Sequence, residues 1–305
     1  MRRSPPPTAV GAPRRPRAAL TLAVLLGLFA TPPGASDAGT VGEEDAAQSF
    51  VSIRECDVHY RVYGPRDETA RARGPAVIIA HGFMRNGEFM RGWAESIAAR
   101  GIVAATVDLC ASSAPNGRHA DNATDLVSLR RRLGFAHVVY MGVSAGGLAA
   151  LIAASQDTAT TRGVLLLDPT NAGGQARSAA ARVRAPVAAL VSRPQVCNAW
   201  RNIDDALHTL EDATIVSMGR ASHCDFEWPT DRFCRVACLA LRNDPPDATR
   251  PRIHAIALGF IEAVASADAD ALARWKAAIG ARDAPANRLH EDESPPAGAE
   301  PVPFR

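Results

Sequence analysis

The feature that most constrains the fold of this chain is a regular alternation of short apolar runs with segments of helical periodicity. An early segment, FVSIRECDVHYRVYG, is predicted to form a hairpin of two strands. Six later runs have the near-continuous hydrophobicity of buried strands: PAVIIAHG, IVAATVDL, HVVYMG, GVLLLDP, PVAALVS and ATIVSM. The alternation is typical of β-α-β units, so the chain is predicted to form a mostly parallel α/β sheet of eight strands.

The segments between these runs have the apolar spacing of helices. EFMRGWAESIAARG, NATDLVSLRRRLG and SAGGLAALIAAS place apolar residues three and four positions apart, and RIHAIALGFIEAVAS and ADALARWKAAIG follow the last strand. Helices that connect parallel strands are expected to cover both faces of the sheet. Because ligands bind at the carboxyl ends of the strands in such a sheet, functional residues are expected directly after the apolar runs.

The amino-terminal segment, residues 1–38, has the composition of a secretory signal peptide. A basic start precedes an apolar core, Ala18 to Ala30, and small residues then offer cleavage after Ala35 or Ala38. The core spans about 13 residues against the roughly 20 that a helix needs to cross a bilayer, so an uncleaved anchor is the less favoured alternative. The protein is therefore predicted to be exported, as a secreted or periplasmic protein.

The carboxyl-terminal segment, residues 282–305, is rich in proline and charge and is predicted to be a disordered tail. The remaining residues, 46–281, suffice for one large core, so a single domain is expected. The chain has 34 basic and 32 acidic residues, for a formal net charge of +2, and its arginine clusters lack interleaved aromatic residues. No nucleic-acid partner and no membrane span in the mature chain are predicted.

The six cysteines form an even set in a chain that is predicted to be exported. This pattern favours disulfides over metal ligation. Cys224, Cys234 and Cys238 lack the close paired spacing of a zinc site, so no metal site is predicted.

Ser144 lies in the sequence HVVYMGVSAGGLAAL, between an apolar run and an alanine-rich helix. Residues 142–146 match the pattern G-x-S-x-G in the strand-turn-helix context that gives this motif its meaning. Gly142 and Gly146 would leave room for strand and helix to approach, and the turn would expose the serine. Ser144 is therefore predicted to be a nucleophile, the alternative being an N-cap serine of the helix.

A serine nucleophile requires a base, and the sequence offers His223. Of the eight histidines, only His81 and His223 come just after predicted buried strands, while His119 is assigned to a polar loop. His223 follows the last strand, which is the chain position of the base in the order serine, acid, histidine.

The loop after the run PAVIIA is predicted to supply a backbone donor to an oxyanion. Phe83 is the preferred residue for this N–H and Met84 the less favoured one, with Ala145 as the second donor at the start of the helix after Ser144. His81 is expected to shape the loop through hydrogen bonds, and Gly82 to permit its bend.

The acid of the site is open to several assignments. Asp168 ends the run GVLLLDP and is the first choice, because Pro169 stiffens the chain at that point. Asp204 or Asp205 is the next alternative, followed by Asp225 or no acid at all. An acid is needed to hold the imidazole in the correct tautomer and to stabilise its positive charge.

The segments HGF, GVSAGG, LLLDPTN and SHCDFE, in this order, resemble the α/β-hydrolase superfamily. An acid in an LDP stretch and a base in a His-x-Asp-Phe stretch are similar to the chlorophyllase-like and dienelactone-hydrolase-like serine esterases. The resemblance covers roughly residues 50–265 and implies a triad of Ser144, His223 and Asp168, with no metal and no organic cofactor. The phytyl ester that chlorophyllases cleave is not predicted as the substrate of this chain, because the chain has an export signal and the sequence at its serine turn is GVSAGG.

The strand order of that superfamily also implies one disulfide, between Cys56 and Cys110, because the second strand would run antiparallel beside the fourth. The pairing of the other four cysteines stays open. Our hypothesis is that these bridges brace the loop that holds His223.

The resulting prediction is an exported serine hydrolase that cleaves carboxylic esters through an acyl-enzyme. About 16 residues separate Asp168 from the next strand, which is too few for a large cap domain, so an open site for small-molecule or polymeric esters is expected. The alternatives are a lipase or peptidase of the same fold, or a non-catalytic binding protein on a hydrolase scaffold. The oligomeric state is left open.

Overall fold

The computed structural model describes residues 47–65, 74–112, 117–239, 246–266 and 268–283. The predicted signal peptide, and the predicted tail beyond Asp283, lie outside the described residues.

The described residues form one eight-stranded sheet. The strands are β1 (Gln48–Val51), β2 (Asp57–Tyr63), β3 (Ala76–Ala80), β4 (Ala104–Val107), β5 (Val138–Val143), β6 (Thr161–Leu167), β7 (Val187–Val191) and β8 (Ala213–Ser217). Their order across the sheet is β1-β2-β4-β3-β5-β6-β7-β8. β2 pairs antiparallel with β1 and with β4, and the remaining neighbours are parallel.

Helices cover both faces of this sheet, as the sequence pattern predicts. The α-helices in the described residues are α1 (Arg91–Ala98), α2 (His119–Arg132), α3 (Ala145–Gln156), α4 (Gln175–Ala180), α5 (Asp204–Leu207), α6 (Arg232–Ala237), α7 (Pro246–Ala265) and α8 (Ala271–Asp283). Three short 3₁₀ helices lie at Gly87–Met90, Val196–Arg201 and His223–Phe226. None of the helices in the described part of the chain has the length and apolarity needed to cross a bilayer.

The central strands are buried on both sides, which accounts for their continuous apolar sequences. Along β5, Val138 and Tyr140 face the core between the sheet and α2, α3 and α4, whereas Val139 and Met141 face the core beneath α1 and α7. A side chain that alternates between two filled cores must be apolar at every position, because successive residues of a strand point to opposite faces. The strand prediction for HVVYMG has this physical basis.

Helix α3 is apolar nearly all round because it lies inside the protein. Its residues 146–155 are all buried. The glycines and alanines that fill its first turns let it lie close to the sheet, directly behind the end of β5. The connection between β6 and β7 holds only the six-residue helix α4, so the prediction of a fold without a large cap domain is confirmed.

Candidate active site

Ser144 occupies a strained turn between the end of β5 and the start of α3. Its φ is 55° and its ψ is −122°, a combination that side-chain-bearing residues seldom adopt. The turn is fixed from the neighbouring strand: the N–H of Ser144 donates to the carbonyl of Leu167 at 3.0 Å, and the N–H of Thr170 donates to the carbonyl of Ser144 at 3.3 Å. Strain of this kind persists only where surrounding contacts determine it, and it is concentrated at functional sites.

Two glycines make this turn possible by lying in direct contact with other backbone. A Cβ at Gly142 would overlap the carbonyl group of Gly146, and a Cβ at Gly146 would overlap the carbonyl oxygens of His81 and Ala80. The close approach therefore excludes any side chain at either position, as the sequence analysis predicts.

His223 and Asp168 form a buried hydrogen-bonded pair at the carboxyl edge of the sheet. Nδ1 of His223 lies 2.7 Å from Oδ2 of Asp168, and the two side chains are 8% and 1% exposed. Asp168 follows β6 directly, and His223 begins the short 3₁₀ helix after β8. Since Leu167 precedes Asp168 and binds the Ser144 amide, the nucleophile candidate and the acid candidate emerge from adjacent strands.

Asp168 is held by donors that the sequence analysis did not identify. The N–H of Ser192 donates to Oδ1 and its hydroxyl donates to Oδ2, both at 2.8 Å. The amide of Asn198 lies 3.4 Å from both carboxylate oxygens and 3.0 Å from the Ser192 hydroxyl. These donors fix the orientation of the carboxylate towards His223.

A second link joins this network to the backbone of His223. Oε1 of Gln195 accepts from the N–H of His223 at 3.3 Å, and Nε2 of Gln195 donates to the hydroxyl of Ser192 at 2.5 Å. The only sequence signal for these residues is their place directly after β7 in SRPQVCN, the edge where functional residues are expected.

The alternative acids have other partners. Asp204 lies at the start of α5 and forms an ion pair with Arg201 at 3.0 Å. Asp205 follows it on the same helix. Asp225 accepts hydrogen bonds from the amide and the hydroxyl of Ser222, at 2.8 and 2.9 Å, and so caps the 3₁₀ helix that His223 begins.

The loop after β3 lies against the serine turn. A Cβ at Gly82 would come within 3.3 Å of the Cβ of Ser144, so the Gly82–Phe83 backbone passes directly beside the candidate nucleophile. The N–H of Met84 donates to the carbonyl of Ser112 at 2.7 Å. Because that N–H is already engaged, the geometry favours Phe83 over Met84 as an oxyanion donor.

His81 forms two hydrogen bonds to the backbone in and beside this loop. Its Nε2 accepts the N–H of Leu109 at 2.9 Å, and its Nδ1 lies 2.8 Å from the carbonyl of Gly82. The first contact requires an unprotonated Nε2, so the proton of the neutral ring is on Nδ1 and is donated to Gly82. Complete burial lowers the pKa of His81 to about 4, which keeps the ring neutral at physiological pH.

A cleft of about 400 Å³ opens at the serine turn. Phe83, Ser144 and Ala145 all line it. Its other polar lining is formed by neutral groups on the segments 170–175 and 197–199, together with His119. An electrically neutral ester or amide would meet no fixed charge on the described part of the lining.

His119 is a cleft residue that the sequence analysis placed wrongly in a polar loop. It begins α2, is only 6% exposed, and its Nδ1 has no hydrogen-bond partner among the described residues. Burial lowers the pKa of its imidazole, an effect that the Ala145 backbone partly offsets. A neutral imidazole therefore lies beside Ser144, and the sequence carried no signal for it because His119 follows no strand.

No protein-family model matches the chain, and no curated protein matches it. Among solved structures it is similar to the dienelactone hydrolase of Anabaena variabilis, with 21% identity over 71% of this chain and 98% of that one and a TM-score of 0.50. It is also similar to esterase 2 of Thermogutta terrifontis, in a structure phosphorylated by paraoxon, with 19% identity, coverage of 65% and 92%, and a TM-score of 0.50. The chain has the α/β-hydrolase fold.

This α/β-hydrolase fold carries three disulfides, which are typical of proteins from oxidising compartments. Cys56 pairs with Cys110, the bridge that the superfamily's strand order implied. The four remaining cysteines, whose pairing the sequence left open, form the bridges Cys197–Cys238 and Cys224–Cys234.

The last two bridges lie beside the histidine and acid network of this α/β-hydrolase fold. Cys224 is adjacent to His223, and Cys197 lies between Gln195 and Asn198. Both bridges lead to α6 and the residue after it, through Cys234 and Cys238. They therefore connect the loop whose side chains bind Asp168 to the segment that contains His223. The three clustered sulfurs of Cys224, Cys234 and Cys238 are thus all engaged in disulfides.

Proposed function

We propose that this protein is an exported serine hydrolase that cleaves carboxylic esters through an acyl-enzyme, with Ser144, His223 and Asp168 as its triad. One observation carries the proposal: the buried 2.7 Å contact of His223 Nδ1 with Asp168 Oδ2 occurs on the same sheet edge as the left-handed Ser144 turn. A serine on a strained turn, beside strands that deliver an imidazole and a carboxylate, is the arrangement that nucleophilic acyl transfer requires.

In this mechanism, Nε2 of His223 accepts the proton of the Ser144 hydroxyl as the oxygen attacks the acyl carbon. Asp168 accepts a hydrogen bond from the Nδ1–H of the ring. This bond keeps Nε2 unprotonated in the neutral ring and stabilises the imidazolium that forms. The protonated ring then donates to the departing alcohol. Water attacks the acyl-enzyme in a second cycle of the same proton transfers, which releases the carboxylic acid.

The backbone N–H groups of Phe83 and Ala145 would stabilise the oxyanion. Both residues line the cleft beside Ser144, and the N–H of Ala145 belongs to the first turn of α3, where the helix dipole is positive. His119 adds an imidazole to the lining of the same cleft.

The substrate class follows from the cleft. Its lining carries uncharged polar groups and apolar surface, and a six-residue helix is the only helical cover between β6 and β7, which leaves the site open. The esterase of Thermogutta terrifontis that resembles this chain is phosphorylated by paraoxon. We expect paraoxon to inactivate this protein in the same manner. Export is supported by the three disulfides and by the signal-like composition of residues 1–38.

The test is hydrolysis of p-nitrophenyl esters of increasing acyl length by the oxidised protein, in parallel with paraoxon labelling. Ser144→Ala is expected to lower kcat by roughly three orders of magnitude or more and to prevent labelling. Ser155→Ala, a buried serine near the far end of α3, is the matched control and is expected to retain both properties.

Two results would contradict the proposal. A folded wild-type protein that neither hydrolyses esters nor reacts with paraoxon would favour the binding-protein alternative. Labelling at Ser144 with cleavage of peptides but not esters would favour a peptidase.

A further inference from the structure

The large apolar side chains that are exposed in the described residues are unevenly distributed. Nine such residues occur, and seven belong to three segments: two of these contribute residues to the cleft, and a disulfide binds the third to one of them. We call these seven the apolar rim: Phe83, Met84, Val196, Trp200, Phe233, Val236 and Leu239. The other two, Val51 and Ile53, lie at and just after β1, the edge strand farthest from β8. Single exposed apolar residues are ordinary, but a group of them around a cleft marks an interaction surface.

Helix α6 shows why this surface is apolar. Its inward residues are Cys234 and, just past its end, Cys238, which are 6% exposed and bound in disulfides. Its outward residues are Phe233, Val236 and, just past its end, Leu239, which are 55%, 69% and 69% exposed. A surface helix ordinarily directs its apolar stripe at the core. Here covalent bonds attach the helix, and the apolar stripe points towards solvent.

Covalent and ionic contacts join the segments of the rim. The Cα atoms of Cys197 and Cys238 are 5.2 Å apart, which places Val196 and Leu239 at the two ends of one bridge. Nη1 of Arg85 donates to Asp231 at 3.1 Å, which connects the Met84 loop to the start of α6.

The rim is continuous with the cleft. Phe83 belongs to both, and the cleft is also lined by Cys197 and Ala199, neighbours of Val196 and Trp200. Trp200 is presented by an unusual turn, since Ala199, Trp200 and Arg201 all have positive φ. Its side chain is 69% exposed, so the turn directs a large aromatic ring away from the core.

Among the described residues beside the rim, the fully exposed charges are basic, and the partly exposed Asp231, whose side chain is 38% exposed, is paired with Arg85. Arg193 and Arg232 are exposed. The nearby Glu227 is buried in an ion pair with Arg85, which also pairs with Asp231. Exposed arginines next to exposed aromatic and aliphatic side chains match a surface with anionic headgroups over an apolar interior. They match a second copy of the same rim poorly, because a two-fold contact would bring like charges together.

We propose that the apolar rim docks this protein on a lipid surface, so that an ester embedded in that surface enters the cleft without first passing through water. The rim, not the cleft, then selects aggregated, water-insoluble esters as the substrate class. This inference rests on the proposed ester hydrolase function for its substrate, and on the exposed side chains alone for the docking step.

The experiment measures docking and hydrolysis separately. Docking is the partition of Ser144→Ala protein onto vesicles of phosphatidylcholine with phosphatidylglycerol, measured by flotation. Adding Phe233→Ser and Val236→Ser is expected to lower the partition coefficient about tenfold or more, since two apolar side chains would no longer enter the lipid. The matched control adds Val51→Ser and Ile53→Ser and is expected to change it less than about twofold, because both lie away from the rim. Trp200→Ser is a second rim variant on another segment.

Hydrolysis is measured with proteins that retain Ser144. The Phe233→Ser, Val236→Ser protein is expected to keep its rate on soluble p-nitrophenyl acetate, because neither residue lines the cleft, and to lose about tenfold on an ester dispersed in vesicles. The docking proposal would be overturned if the rim variant and the control variant had equal partition coefficients on the vesicles. It would also be overturned by a dimer, seen by light scattering, that the rim substitutions dissociate while vesicle binding is absent.

The two proposals fail in different ways. Vesicle binding that needs the rim, in a protein inactive on every ester, would overturn the hydrolase function and support docking. Hydrolysis of soluble esters without rim-dependent vesicle binding would overturn docking and leave the hydrolase function standing.

Discussion

Arg85 and Glu227, which lie 142 positions apart in the chain, form a buried bidentate ion pair with N–O distances of 2.8 and 2.7 Å. Arg85 follows the loop that carries Phe83, and Glu227 follows the 3₁₀ helix that carries His223. The pair therefore joins the proposed oxyanion loop to the proposed catalytic base. Burial raises the pKa of Glu227, and the hydrogen bonds and charge of Arg85 oppose that rise and favour the carboxylate form.

Removal of one partner of this ion pair should be strongly destabilising. The side chains of Arg85 and Glu227 are 7% and 5% exposed, so Arg85→Met would leave a buried carboxylate without its partner, and we expect the free energy of unfolding to fall by about 3 kcal/mol. Arg100→Met, which removes a surface ion pair with Glu262, should cost less than about 1 kcal/mol. Urea unfolding measures both. The double substitution Arg85→Met, Glu227→Met should be less destabilised than the sum of its parts; strict additivity would show that the two residues are not coupled.

Ser192 is expected to act as a positioning residue for Asp168. Ser192→Ala removes the hydroxyl donor at 2.8 Å but keeps the backbone donor, so kcat on p-nitrophenyl esters should fall about tenfold with KM changed less than about twofold. Ser192→Thr keeps a hydroxyl and should restore most of kcat. A purely structural role would instead lower the melting temperature and leave the kcat of the folded fraction unchanged.

Removal of individual disulfides should affect the free energy of unfolding and kcat to different extents. Cys56–Cys110 encloses the longest loop, 54 residues, and its replacement by serines should lower the free energy of unfolding by about 4 kcal/mol on the loop-entropy model. Cys224–Cys234 encloses 10 residues, and its replacement should cost about 3 kcal/mol.

The effects of these bridges on activity should have the opposite order. The Cys224–Cys234 bridge is adjacent to His223, so its loss should lower kcat about tenfold in protein that is still folded, whereas loss of Cys56–Cys110 should leave kcat within about twofold. Steady-state kinetics below the melting temperature of each variant measures this. The bracing hypothesis is abandoned if kcat follows stability alone.

Asp125 provides a pH-dependent prediction for stability. It is buried on α2, and burial, with a smaller contribution from Asp121, raises its pKa from 3.8 to about 6, although the Ile53 backbone opposes the rise. A raised pKa in the folded state means that the stabilisation is complete below pH 4 and is lost as the pH rises through 6. Asp125→Asn should therefore be more stable than the wild type at pH 8, by about 2 kcal/mol, and should lose this advantage at pH 4.

Urea unfolding at the two pH values measures the change. The exposed Asp270→Asn is the control and should alter stability by less than about 0.5 kcal/mol at both. A stability difference for Asp125→Asn that is the same at pH 4 and pH 8 would contradict a perturbed carboxyl group at this position.

The sequence predicted the fold because its signals are local. A strand buried on both faces must be apolar throughout, as HVVYMG is, and a helix inside the protein must be small and apolar, as α3 is. The order of these segments then restricts the topology to a few possibilities. The six-residue α4 between β6 and β7 agrees with the short spacing from which the absence of a large cap was predicted.

Residues of the candidate site could be predicted from the sequence where they directly follow a strand. Ser144, Asp168 and His223 each come just after an apolar run, so the sheet geometry alone places them on one edge. Their catalytic roles remain predictions. Ser192, Gln195 and Asn198 also follow a strand, but their residue types are common in loops, and their hydrogen bonds to Asp168 and His223 depend on a fold that brings together segments 24 to 55 positions apart.

The sequence by itself determined where the strands lie along the chain, the turn at Ser144 and the need for glycine at position 142, because each depends on residues close in the chain and on the sterics of one turn. Only the tertiary structure decided which of the four later cysteines pair, that His119 enters the cleft, and that the apolar residues of α6 face outwards. Apolar residues three positions apart predict a buried stripe in any isolated helix sequence. Two disulfides reverse that expectation here, because a covalent attachment holds the helix in place without burial of its apolar face.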